Sequence, residues 1–291
     1  MAFKAKKSVQ SKLSFFAVVF VLIVLLYNTD YEQITQKSDL DEYKNCNVVV
    51  HYIDVGQGES IFVELPQGKA MLIDAGENHC GDDVINYITS TGEDYLDYVV
   101  ATHPHSDHIG GMDDVINEFD IGTFYMPDCS HTTKAYEDML DSLLKKDVDT
   151  QIAEAGVTIC SEGSLEIDIL SPVTSYGDEL NNYSAVVKLT YGDISYLFTG
   201  DAQIYAENLI TADVSANVLK VGHHGSSTST SSSFLRRVSP DIAVISLGED
   251  NDYGHPHSEV VQRLTNCGAQ ILRTDRDGTV VIGTDGKDLL Y

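Results

Sequence analysis

Short apolar blocks separated by polar turns run the length of this chain, and the first block is unlike the rest. Leu13 to Tyr27 reads LSFFAVVFVLIVLLY, without a charge or a polar face, behind Lys4, Lys6, Lys7 and Lys12. It falls somewhat short of the roughly 20 residues that span a bilayer, though flanking residues stretch such a run. It passes into Tyr27-Asn28-Thr29-Asp30-Tyr31, which lacks the small residues of a signal-peptide cleavage site. The pattern predicts a retained transmembrane anchor, with the basic residues 1–12 inside and everything after Tyr27 outside the cell membrane. A cleaved signal and a secreted protein form the second reading. Residues 28–45 are polar and predict a linker, leaving 46–291 as the folded domain.

In that domain the blocks have strand and helix lengths. Val48 to Ile53 predicts a strand, and Ile61 to Leu65 with Ala70 to Ile73 a hairpin across Pro66-Gln67-Gly68. A helix is expected from Asp82 to Thr89, a buried strand at Tyr98-Val99-Val100-Ala101, and a second helix from Gly111 to Glu118. Ile121 to Met126 predicts a strand and Thr133 to Lys146 an amphipathic helix. Short strands follow at Val157–Cys160, Leu165–Leu170, Ala185–Tyr191 and Ile194–Phe198, the last two joined by a Gly192-Asp193 turn. Strand and helix then alternate: Val218–Val221, a helix near Ser231 to Arg237, Ile242–Leu247, a helix from Ser258 to Asn266, and closing strands. Strand-rich halves each followed by helices predict two sheets with helices outside. No internal repeat is visible.

Composition narrows the functions. The hydrophobic share of 43% suits a globular core, while 45 acidic against 18 basic residues give a net charge of -27. Such a surface repels bulk phosphate backbone and argues against a non-specific, charge-driven hold on DNA. It leaves room for phosphate chemistry at a site whose own metal ions are positive. Cys46, Cys80, Cys129, Cys160 and Cys267 have no CxxC spacing, so neither a zinc knuckle nor a redox pair is expected.

The chemistry concentrates in Thr102 to Gly111, THPHSDHIGG, directly after the Tyr98–Ala101 strand. His103, His105, Asp107 and His108 leave that strand's carboxyl end together, where open α/β sheets bind ligands. Imidazole and carboxylate are the ligands that divalent transition metals take. Later strand ends offer more donors. Asp201 closes Leu197-Phe198-Thr199-Gly200-Asp201, and His223 and His224 follow Val218–Val221. Adjacent histidines in a strand would point to opposite sides, which makes this pair hard to explain as structure alone. His255 and His257 stand in Asn251-Asp252-Tyr253-Gly254-His255-Pro256-His257.

HxHxDH after a strand, Asp74 in LIDAG, FTGD and the later Gly-His together resemble the metallo-β-lactamase fold superfamily. Within it, DVGQGES (Asp54 to Ser60), NNYSAVV, LFTGD, VGHHGS and NDYGHP resemble the soluble domain of the competence DNA-uptake protein ComEC, from about Val48 to Gly283. The polytopic channel of that protein has no counterpart here. The resemblance implies a four-layer αβ/βα sandwich with two divalent metal ions, zinc or manganese, in the cleft between the sheets. It assigns His103 and His105 to the first ion, Asp107, His108 and His223 to the second, Asp201 as the bridge, and Asp74 as the acid behind the metal turn. The family's third histidine for the first ion belongs near Asn181-Asn182, where this chain has only asparagines. That predicts a weak first site, or one suited to a harder ion such as Mn²⁺. His131 could fill the gap, but its Ser-His-Thr-Thr setting reads as loop.

The expected reaction is hydrolysis by a hydroxide bridging the two ions. Asp107 would orient the nucleophile as well as ligate, His224 or His255 would protonate the leaving group, and Asp54, Asn182 and Ser226 are candidates for supporting or substrate-facing roles. The resemblance favours a phosphodiesterase or nuclease acting on single-stranded DNA or small phosphodiesters. Lactone, thioester or β-lactam hydrolysis uses the same fold, and a non-catalytic, surface-tethered binding protein is the reading from another class. No protein partner is predicted.

Overall fold

The apolar runs become strands that are buried on both faces, and this decides the architecture. The computed structural model describes residues 41–291; the expected anchor, Leu13 to Tyr27, and most of the linker lie outside the described residues. Among the described residues no helix is long and apolar enough to cross a membrane. Residues 45–291 form one unit, in which all five cysteines are free thiols.

Strands β1 (Val48–Tyr52), β2 (Ile61–Leu65) and β3 (Lys69–Ile73) form an antiparallel meander, with Tyr52 opposite Ile61 and Ile61 opposite Ile73. After helix α1 (Gly81–Thr91) the pairing changes. β4 (Tyr95–Val100), β5 (Asp120–Met126) and β6 (Asp149–Ile152) each lie parallel to the strand before. Helices α2 (Ser106–Ile109), α3 (Met112–Glu118) and α4 (Lys134–Lys146) fill the crossovers. The second sheet repeats the scheme. β7 (Thr158–Glu162), β8 (Leu165–Ser171), β9 (Val186–Tyr191) and β10 (Ile194–Phe198) are antiparallel. β11 (Val218–Lys220), β12 (Ile242–Ile245) and β13 (Gln270–Arg273) continue in parallel. Between them run α5 (Ile204–Leu209), α6 (Ser232–Val238) and α7 (Ser258–Cys267). The chain then returns to the first sheet as β14 (Val280–Thr284), antiparallel to β1, and β15 (Leu289–Leu290).

Side chains alternate across each strand, and the two faces enter different cores. Val48, Val50 and Tyr52 meet Val187, Leu189, Tyr196 and Phe198 between the sheets. On the far side, Phe62, Leu72 and Val99 pack under Val84 of α1, Val115 of α3 and Met139 of α4. Leu197, Leu219 and Ala243 pack likewise under Ala206 of α5, Phe234 of α6 and Leu264 of α7. The result is helix, sheet, sheet, helix: the four layers that the sequence led us to expect. The parallel strands β3, β4, β10, β11 and β12 all release their chains at carboxyl ends, the edge where ligands bind in such sheets.

Candidate metal centre

The turn after β4 is clamped from two sides. Asp74, fully buried directly after β3, adopts a left-handed backbone with φ of 58°. Its carboxylate accepts the Thr102 N–H at 2.8 Å and the Thr102 hydroxyl at 2.6 Å, and lies 2.6 Å from His108 Nδ1. On the other side, the Glu59 N–H donates to the Asp107 carbonyl at 3.0 Å. Gly58 beside it has no room for a side chain, since a Cβ would stand 2.6 Å from that same oxygen. Two of the glycine-bearing motifs thus exist to hold the His103–His108 segment in place.

Two groups of donors converge on Asp201, one on each carboxylate oxygen. Around Oδ1 stand His108 Nε2 at 3.2 Å and His224 Nε2 at 3.6 Å. His224 Nε2 is also 3.3 Å from Asp107 Oδ2. Ligand atoms of Asp107, His108, Asp201 and His224 all lie within 4.8 Å of one another. Around Oδ2 stand His223 Nε2 at 3.4 Å and His103 Nε2 at 3.8 Å, the latter 3.0 Å from His105 Nδ1. The other ring nitrogens are held in turn. His224 Nδ1 meets the Ser246 carbonyl at 2.9 Å, His223 Nδ1 the Thr228 hydroxyl at 3.1 Å, and His103 Nδ1 the Thr102 hydroxyl at 3.1 Å. Such outer partners orient metal ligands and fix their tautomers.

The electrostatics suit divalent cations. Burial pulls His103, His105 and His223 below the ordinary histidine range, so their lone pairs are free at neutral pH. Burial would raise Asp107 and Asp201, but neighbouring imidazoles outweigh it: His224 and His108 hold Asp107 down, His108 and His224 hold Asp201 down. His108 moves the opposite way. Its burial is outweighed by Asp201 and Asp74, and a proton there is held well above the usual range. A buried pocket that retains a proton so firmly is one that attracts positive charge. Asp201 Oδ1 is also buried, with the ring nitrogens of His108 and His224 facing it but no well-aligned hydrogen bond, a state that favours a cation between them. The donor set therefore fits two metal ions.

The pair His223 and His224 behaves differently from the expectation. Both residues take left-handed backbone angles, φ 53° and 51°, in the turn Gly222–Gly225. Such strain in consecutive non-glycine residues is tolerated where function requires it. It splits the adjacent rings across Asp201, setting His224 with Asp107 and His108 and His223 with His103. The position expected for His223 is therefore occupied by His224, and His223 stands where the first group lacked a third nitrogen. His223→Ala and His224→Ala should each lower the metal content by about half, from different sites; elemental analysis of the purified variants measures it.

The remaining expected residues scatter. His255 lines the cleft with the donors, and burial followed by His224 and His223 pushes it down to about 4. At pH 7 it is a neutral ring and a weak base, so it carries no proton to give to a leaving group, contrary to the acid role expected of it. His131 lines the same cleft, its ring 5.9 Å from His105. Asn182 is buried with its amide toward Gln203, and Asn181 lines the cleft instead, with a buried Oδ1 that has no hydrogen-bond partner. Ser226 is buried against the Thr228 hydroxyl at 3.0 Å, and His257 accepts the Ser227 N–H at 2.9 Å. Asp54 is exposed and accepts the Gly56 N–H at 3.1 Å within its own turn. Sequence reasoning missed Thr102 and Ser246 as ligand-orienting groups, and Gln57 and Tyr253 as walls of the cleft.

Two facing sheets that carry paired histidine–carboxylate donors at their carboxyl edge define the class of a metal-dependent hydrolase fold. Residues 53–249 match the Metallo-beta-lactamase superfamily model, and the chain belongs to that superfamily. It is 32% identical over 251 residues to ComE operon protein 3 of Bacillus subtilis, covering 79% of this chain and 32% of that protein. It is 29% identical over 240 residues to the competence protein ComA of Neisseria gonorrhoeae, covering 79% and 31%. The chain thus spans about a third of the length of these relatives. CmlA, a diiron beta-hydroxylase from Streptomyces venezuelae, shares the fold at a TM-score of 0.55 and 16% identity, covering 81% of this chain and 54% of that one.

Proposed function

We propose that the substrate of this metallo-β-lactamase-fold hydrolase is a phosphodiester, as single-stranded DNA or a small phosphodiester, and that it acts outside the cell from a membrane tether. The observation that carries the reading is the division of donors between the two oxygens of Asp201, which suits a pair of cations. Paired ions are the recurring device for clamping both sides of an in-line displacement at phosphorus. The kinship with proteins named for competence supports a phosphodiester over an acyl substrate. The lysines and the apolar run Leu13 to Tyr27 support the tether.

Asp107, His108, His224 and Asp201 Oδ1 would hold one ion, and His103, His105, His223 and Asp201 Oδ2 the other. Bound there, zinc or manganese would supply a water acidified toward about pH 7 and charge to neutralise a phosphate. The chain's own residues do the rest. Asp74 and Thr102 keep His108 aimed at Asp201, while the Ser246 carbonyl keeps Nε2 of His224 free. The neutral His255 ring borders the cleft, and its buried Nδ1, which has no hydrogen-bond partner, can accept a hydrogen bond there. The net charge of -27 disfavours long duplex and favours short strands, whose charge the centre itself can meet.

A substrate panel tests the reading. Bis-p-nitrophenyl phosphate and labelled single-stranded DNA should turn over with Mn²⁺ or Zn²⁺, and a lactone and nitrocefin should not. Turnover of the acyl substrates alone would overturn it.

A further inference from the structure

We infer that Tyr253 is a stacking platform for a nucleobase at the mouth of the metal cleft, so that the centre takes a base-bearing single strand in preference to a bare phosphodiester. The inference rests on the phosphodiester reading above and names the group beside the phosphate. Isolated exposed aromatics are ordinary on protein surfaces, so exposure alone says little. Here position decides. Among the exposed large apolar residues described, Tyr253, 65% exposed, lines the cleft of about 300 Å³ that also contains Asp107, Asp201 and both histidines of the Gly222–Gly225 turn.

The ring is also pre-oriented. One face lies against His255, with centroids 5.6 Å apart and planes 22° from parallel. His255 is in turn near-parallel to His224, at 6.5 Å and 23°. Three aromatic rings thus step from solvent to a metal donor, each within 23° of parallel to the next. The loop carrying Tyr253 is pinned by Asn251, whose amide donates to the Gly248 carbonyl at 3.0 Å and the His255 carbonyl at 2.8 Å. Its Oδ1 accepts the His255 N–H at 2.9 Å. A ring fixed before binding loses little entropy when a ligand stacks on it.

The charge balance gives the platform its purpose. Proteins that hold single strands combine a basic groove with aromatic stacking. Among the described residues no lysine or arginine lines this cleft, so affinity beyond the ions themselves is expected to come from the bases. Stacking is tolerant of sequence, because every base has a π-face.

The test compares phosphorothioate-linked octathymidylate with an abasic strand of equal length and charge, by fluorescence anisotropy on the metal-loaded full chain. The unsubstituted protein should prefer the thymidylate by about tenfold, the order expected for one stacked base. The preference should collapse in Tyr253→Ala and return in Tyr253→Phe. Equal affinity for both strands in the unsubstituted protein, or an unchanged preference in Tyr253→Ala, overturns the platform. Failure of the phosphodiester reading shows separately, as no cleavage of ordinary octathymidylate with Mn²⁺ or Zn²⁺, and the binding comparison still decides the role of Tyr253.

Discussion

Asp201→Ala is expected to strip the centre of both ions and to lower hydrolysis by at least about three orders of magnitude. The two oxygens of Asp201 face different donor groups. Its Oδ1 is 3.2 Å from His108 Nε2, and its Oδ2 is 3.4 Å from His223 Nε2 and 3.8 Å from His103 Nε2. Alanine would leave imidazoles facing one another with Asp107 as the remaining carboxylate, too little negative charge for a pair of divalent cations. Asp201→Asn keeps one oxygen donor and loses the charge, so it should fall between the two. Elemental analysis and the rate on bis-p-nitrophenyl phosphate read the two effects independently. If the alanine variant keeps its full metal content, Asp201 is not the bridge.

Much of this was legible in the sequence, and what was not has a physical reason in each case. Buried parallel strands read as apolar runs, which is why β12 and the Tyr98–Val100 end of β4 were visible. β6 was missed because Asp149-Thr150-Gln151 is polar and the whole strand, Ile152 included, is exposed, held in place by pairing with β5. α5 was missed because it is six residues long and turns an acid inward: buried Glu207 accepts the N–H groups of Thr230 and Ser231. The metal turn was legible because its four donors fall within six residues. The roles within His223-His224 were not, because the resemblance assigned the second group to His223, while a turn of two left-handed residues brings His224 there instead. The asparagine that lines the cleft is one position from the one expected, since Leu180–Tyr183 is a tight helical turn in which neighbours face different ways.

The interaction least visible in the sequence should dominate stability. Glu59 and Lys220 are 161 positions apart and meet beneath the metal centre, both fully buried. Lys220 Nζ donates to the Glu59 carboxylate and, at 3.0 Å, to the Val221 carbonyl. Nothing in a β11 run of Val218-Leu219-Lys220 announces that a lysine points inward. Lys220→Ala would leave the Glu59 carboxylate buried and unpaired, and should cost about 3–5 kcal/mol. Lys220→Met combined with Glu59→Leu removes both charges together, and should recover most of that loss, because an apolar pair of similar volume avoids the desolvation cost. Urea denaturation of the single and double variants measures the difference. The metal should report a second effect. The Glu59 N–H holds the Asp107 carbonyl, and its own carbonyl accepts the Gly76 N–H at 2.8 Å, so the carboxylate's anchor also positions the ligand turn. The double variant should therefore regain stability while binding metal about tenfold more weakly, the loss typical when an outer support of a ligand is removed. A double variant that recovers stability and metal affinity together would show that the ion pair holds the sheets and has no part in shaping the centre.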